Sequence, residues 1–82
     1  MECRAVMAVM VDKRTVAAGK MQEVLTKHGC IINLRVGLHE TSRVCEEQGL
    51  ILLSVVGSRK EVVALRADLG RIKGVQAKEM VL

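Results

Sequence analysis

Two runs constrain this chain more than anything else in it. CRAVMAVMV at Cys3–Val11 and GLILLSVVG at Gly49–Gly57 are each apolar at odd and even positions alike. Side chains of a strand point to opposite faces at alternate positions. A run that is apolar at both parities therefore reads as a strand with protein on both sides, in the middle of a sheet. The chain has 82 residues, and at that size folding removes only about 60–65% of the unfolded chain's surface from water. One core over residues 1–82, a single domain, is what this length supports. Half of the residues are hydrophobic, yet there is no Phe, Trp or Tyr. Val, Leu, Ile, Met and Ala must build the core, and the excess apolar surface is hidden more easily between subunits than inside so small an interior.

The segments around the two runs supply the remaining elements. Asp12 offers an N-cap oxygen, and Val16 or Ala17, Met21, Val24, Leu25 and His28 recur at helical spacing before Gly29 stops the pattern. A first helix over about Lys13–His28 follows. From Cys30 to His39 the chain alternates, with Ile32, Leu34, Val36 and Leu38 on one face and Asn33, Arg35, Gly37 and His39 on the other. That pattern predicts a strand with one buried and one polar face, as at a sheet edge. The polar stretch Glu40–Gln48 connects it to the second apolar run. Ser58 followed by Glu61 is a capping box, and Val62, Leu65, Leu69 and Ile72 form the stripe of a second helix, which Gly70 is expected to shorten by a turn. After Gly74, Val75–Val81 alternates loosely and reads as a second edge strand.

The order β-α-β-β-α-β, with right-handed crossovers, places both helices on one face of a four-stranded antiparallel sheet and the first and third strands at its centre. The expected fold is α+β, a ferredoxin-like sandwich. The strands this topology makes central are the two that are apolar at both parities. Helices cover only one face of such a sheet, so the other would expose an apolar middle. A homo-oligomer, dimer or tetramer, joined through that open sheet face is the predicted consequence.

Composition and spacing narrow the function. The net charge of +4 comes from 13 Lys and Arg against 9 Asp and Glu, without a run of like charges. RNA-recognition sheets stack bases on aromatic side chains, and this chain has none, so no direct nucleic-acid partner is expected. Nothing near Met1 reads as a secretory leader or a membrane span, since the apolar run Ala5–Val11 is too short and follows Glu2 and Arg4. A cytoplasmic location follows, and the odd count of Cys3, Cys30 and Cys45, without a C-x-x-C pair, fits a reducing compartment. His28, His39, Cys30 and Cys45 match no closed zinc motif. No cofactor is expected.

An enzyme needs a nucleophile with a base or two facing carboxylates. Ser42, His39 and Glu40 lie near one another in sequence but lack a strained elbow or a Gly-rich oxyanion loop, and read as solvated loop. The adjacent Glu46 and Glu47 diverge. Arg35, beside Gly37 and His39 on the polar face of an edge strand, is the candidate ligand-binding group. It suits a small anionic ligand approaching the glycine backbone at a subunit junction. The alternative is that Arg35 pairs with a glutamate of a partner chain and Gly37 allows a bulge.

Leu34-Arg35-Val36-Gly37 at the end of the second strand, and Leu69-Gly70-Arg71-Ile72-Lys73-Gly74-Val75 leading into the last, resemble the iron-only hydrogenase system regulator family. The match spans nearly the whole chain. Members of that family resemble the C-terminal domain of the nickel-responsive regulator and the amino-acid-binding ACT domains. The resemblance thus implies an ACT-like form of the ferredoxin-like fold, oligomerisation and a regulatory or ligand-sensing role acting through a ligand or protein partner. It carries over no site. Where the nickel-responsive regulator has histidines on its second strand, this chain has Arg35-Val36-Gly37, and where ACT domains often place a glycine, it has Val11-Asp12-Lys13-Arg14. No ribbon-helix-helix or helix-turn-helix segment is read here, so control of transcription would pass through a DNA-binding partner. From another class, the same features suit a non-catalytic assembly module for hydrogenase maturation.

Overall fold

A computed structural model describes residues 2–12, 14–38 and 49–82, without the side chains of residues 14–16 and 38. The elements follow in the expected order: β1 (Glu2–Val11), α1 (Arg14–Lys27), a 3-10 turn at Gly29–Ile31, β2 (Ile32–Leu38), β3 (Gly49–Ser58), α2 (Arg59–Gly70) and β4 (Val75–Val81). The strands form one sheet in the order β2-β3-β1-β4, with every neighbouring pair antiparallel. β1 and β3 are central, as their doubly apolar runs require.

Parity along β1 is resolved by burial. Cys3, Ala5, Met7, Val9 and Val11 are buried, while Arg4, Val6, Ala8 and Met10 are exposed. The odd residues meet Ala17, Met21 and Leu25 of α1 and Val62, Leu65 and Leu69 of α2, with Leu53 and Val55 of β3 and Ile72 and Val75 completing the core. Burying each of the larger side chains contributes roughly 1.5–3 kcal/mol. Both helices therefore cover one face, and the even residues of β1 look outward on the other.

α2 begins as its sequence requires. The Ser58 hydroxyl accepts the Glu61 N–H at 3.1 Å, and the Ser58 N–H donates to Glu61 Oε1 at 2.9 Å. The Ser58 N–H bond to the carboxylate, and secondarily the nearby Ser58 hydroxyl, favour the ionised glutamate and hold its pKa below the usual carboxylate value. The helix ends at Gly70, one turn before the apolar stripe is complete, and Ile72 lies beyond it. The N-cap expected at Asp12 would serve a first turn of α1 whose residue 13 and side chains 14–16 lie outside the described residues.

Two glycines sit where a side chain would collide. At Gly57 a Cβ would stand 2.7 Å from Ile31 Cγ2, so the 3-10 turn can lie against β3 only over a bare backbone. Gly74 has φ +85°, in the left-handed region that favours glycine, and its carbonyl accepts the Asp12 N–H at 2.7 Å. That bond ties the end of β1 to the start of β4.

β2 departs from the sequence expectation. Ile32 pairs with Val55 but Leu34 pairs with Ser54, so Asn33 is an extra residue and the ladder slips by one position. Ile32 consequently faces the helices, half-buried, whereas Leu34 and Val36 lie on the open face, 58% and 38% exposed. Ile32 is thus split from Leu34 and Val36, with which it reads in the sequence as one buried face, because a one-residue shift flips the side chains that follow it. The irregularity also falls at Asn33, not at Gly37. Cys30, where the alternating stretch is expected to begin, is exposed in the 3-10 turn ahead of β2, while Cys3 is buried.

Candidate functional site

The open face of the sheet is a grid fixed by strand register. One row across it reads Leu34, Ser54, Val6 and Met80, and the next reads Val36, Leu52, Ala8 and Lys78. A third row places Leu50 beside Met10 and Gln76. Val6 is 39% exposed, Met10 43% and Met80 64%, and no element of this chain covers them among the described residues. Four strands of seven to ten residues, at about 4.8 Å per strand and about 3.3 Å per residue, give a face on the order of 500 Å² in projection. Apolar residues hold most of its β2, β3 and β1 part, and a contiguous exposed apolar patch of a few hundred Å² commonly marks an interaction surface.

Arg35 and Gly37 lie on the opposite, helix-facing side of β2, because Arg35 pairs with Leu53 and Gly37 with Ile51. Arg35 Nη1 donates to Gln22 Oε1 of α1 at 3.4 Å, and the two residues line a shallow cleft of about 160 Å³ with Thr26 and Gly29. A Cβ on Gly37 would meet nothing within 4 Å, so the backbone there is open to approach. His39, the third candidate residue, lies outside the described residues, as do Ser42 and Cys45.

A second polar feature ties the helices together. Asp68 of α2 accepts His28 Nε2 at 2.8 Å and Lys27 Nζ at 3.3 Å on one oxygen, and Arg71 Nη1 on the other. The hydrogen bond from His28, then that from Lys27, lowers the Asp68 pKa to about 2. In the sequence His28 reads only as the last residue of the first helix's apolar spacing. Its carboxylate partner lies 40 residues away, and no local pattern announces it. Lys27, His28 and Cys30 also line a cleft of about 370 Å³ with Lys60 and Glu61 of α2. Among the described residues no three His, Cys, Asp or Glu side chains gather as a metal site requires, and no helix is long and apolar enough to cross a membrane.

Residues 4–79 match the TM1266-like family model, described as "Iron-only hydrogenase system regulator, putative". The chain belongs to that family. The solved structure of the uncharacterized protein TM1266 from Thermotoga maritima superposes with a TM-score of 0.87 at 27% identity, covering 100% of this chain and 99% of that one. Two further structures share the fold. One is described as a "putative PII-like signaling protein" from Thermus thermophilus, with TM-score 0.57, 16% identity and coverage of 100% and 88%. The other is CPII, a nitrogen regulatory PII-like protein from Thiomonas intermedia bound to ADP, AMP and bicarbonate, with TM-score 0.54, 9% identity and coverage of 100% and 91%. No curated protein matches the chain in sequence. The family carries that description as a whole, and the two more distant neighbours share with this chain a ferredoxin-like fold.

Proposed function

We propose that this chain is a non-catalytic, ligand-sensing regulatory domain of an iron-only hydrogenase system, working in the cytoplasm as a homo-oligomer joined through the open face of its sheet. The observation that carries the reading is that face. Val6, Met10, Leu34, Val36 and Met80 are exposed together on one side of a sheet whose other side packs against two helices. In a chain this small, apolar area left in water lowers both solubility and stability, and a second subunit removes it.

Arg35 and Gly37, with His39, are the proposed ligand-binding residues, and the ligand is a small anion. The guanidinium at the mouth of the α1–β2 cleft supports this, since its hydrogen bond to Gln22 goes to an uncharged amide. The anions bound in CPII, of the same fold, are a precedent for the fold and not for this cleft.

The test is native mass spectrometry of protein purified without oxygen, followed by a thermal-shift screen of small anions. An oligomer carrying a reproducible extra mass, stabilised by one anion and insensitive to it after Arg35→Ala, is the expected result. A ligand at a hundred times its dissociation constant adds about 2.7 kcal/mol. A monomer without adduct refutes the oligomer, and a bare oligomer that no anion stabilises replaces sensing with the role of an assembly module for hydrogenase maturation.

A further inference from the structure

The open face is not uniform, and its asymmetry specifies more than association. Across β2, β3 and β1 the second row is Val36, Leu52 and Ala8, but on β4 it ends in Lys78, and the third row ends in Gln76. Both of these β4 residues are exposed. Among the described residues, Glu2 lies on this face at the opposite end of β1 from that strip, and Asp12, just beyond β1, shares a cleft with Met10 and Gln76, so neither carboxylate stands in the row of Lys78. An ammonium group buried without a partner is strongly unfavourable. Covering all four strands would bury Lys78 in the middle of the face, whereas covering three leaves it at the rim. The other cation of this face, Arg4, stands opposite Val56 near the Glu2 end of β1, two residues from that carboxylate.

We propose that two copies of this chain pair through β2, β3 and β1 alone, about a two-fold axis that runs along β3 past Leu52, leaving the Lys78 and Gln76 strip of β4 at the wet rim. The inference rests on the face-to-face reading above and adds where the interface lies. A two-fold interface is self-complementary. β3 is the middle of the three apolar strands, so it lies over its own copy, while β1 of one copy lies over β2 of the other. Ala8 leaves a shallow place in the grid and Leu52 stands proud beside it, which lets side chains from the two sheets interdigitate.

The area is sufficient for a second copy and for little more. Three strands give on the order of 400 Å² in projection per copy. Because protruding side chains add accessible area to that projection, a pair reaches about 1,000 Å², the lower bound for a specific interface. A concentration-dependent dimer is the corresponding expectation.

Sedimentation velocity with interference optics, suited to a chain without Trp or Tyr, tests this on the full chain with Leu34→Glu, Leu52→Glu and Lys78→Glu. Leu34 is 58% exposed, so Leu34→Glu leaves the monomer folded and is the deciding variant, with circular dichroism as the control. The expected result is that Leu34→Glu and Leu52→Glu weaken association by about thirtyfold or more, the scale of an interface hot spot, while Lys78→Glu changes it by less than about threefold. A wild-type monomer at every concentration sinks the oligomer reading itself. A wild-type dimer that survives Leu34→Glu, or one that Lys78→Glu disrupts, overturns only the off-centre placement.

Discussion

Replacing Gly57 by alanine tests whether the 3-10 turn at Gly29–Ile31 is seated on β3 as described. The new methyl would stand 2.7 Å from Ile31 Cγ2, 3.2 Å from Ile31 Cβ and 3.3 Å from Glu61 Oε1. The first distance is about 0.7 Å short of an ordinary contact. Ile31 cannot simply swing away, because it is 7% exposed and part of the core. Overpacking of this kind costs about 1–3 kcal/mol. Against it stands a gain of about 0.4–1 kcal/mol, since alanine restricts the unfolded chain more than glycine does. The net expectation is a loss of about 1–2 kcal/mol, which for a domain of this size lowers Tm by roughly 5–15 °C.

The assay is thermal denaturation followed by circular dichroism at fixed protein concentration, since any association would raise Tm by mass action. Ile31→Leu supplies the control. Leucine lacks the branch methyl that collides, and alone this exchange costs less than about 1.5 kcal/mol. In the double variant the two changes should compensate, with a coupling of at least about 0.5 kcal/mol. If Gly57→Ala melts at or above the wild-type temperature, or if the double variant shows no coupling, the close approach of Ile31 to β3 is refuted.

Ser58→Ala removes the hydroxyl that accepts the Glu61 N–H; a loss of about 1 kcal/mol in urea unfolding is expected, and Ser58→Asp should restore most of it. Asp68→Asn removes the carboxylate shared by His28, Lys27 and Arg71. The folded-state pKa of Asp68 is lowered from 3.8 to about 2, so its stabilising effect is complete above the unfolded value and is lost as pH falls through the folded one. Unfolding curves should therefore separate wild type from Asp68→Asn at pH 6 and converge between about pH 4 and pH 2, and a gap independent of pH would show that the carboxylate's charge is not what matters.

Much of this architecture was legible because its signals are local. β1 and β3 carry apolar residues at both parities, which suits a central strand, and the capping box at Ser58 and Glu61 starts α2 where the pattern places it. Which parity of β1 faces the helices was not legible, since both are apolar and only the helices decide. The facing of β2 was misread for a different reason. Its alternation is regular in sequence, but the slip at Asn33 exists only in the pairing with β3. Arg35 was readable as the charged residue of an edge strand, while its neighbour Gln22 comes from α1. The charge cluster at Asp68 left no trace, because its carboxylate and its histidine are separated by 40 residues and the spacing of charges along one helix carries no information about another.

The extra residue in β2 decides what the outer surface of the sheet is made of. If Asn33 itself took the place opposite Ser54, every later residue of the strand would exchange sides, turning Leu34 and Val36 toward the helices and bringing Arg35 out beside Leu52. The same amino acids in the same order would then present a guanidinium where one copy meets the next. Deleting Asn33 does something quite different, because Ile32 and Leu34 would become neighbours in a regular ladder with their present facings kept. A codon lost at that one place is therefore silent for the surface. A codon lost or gained further along the strand reverses every facing beyond it, and so trades a greasy face for a wet one while the core and the order of the strands stay as they are.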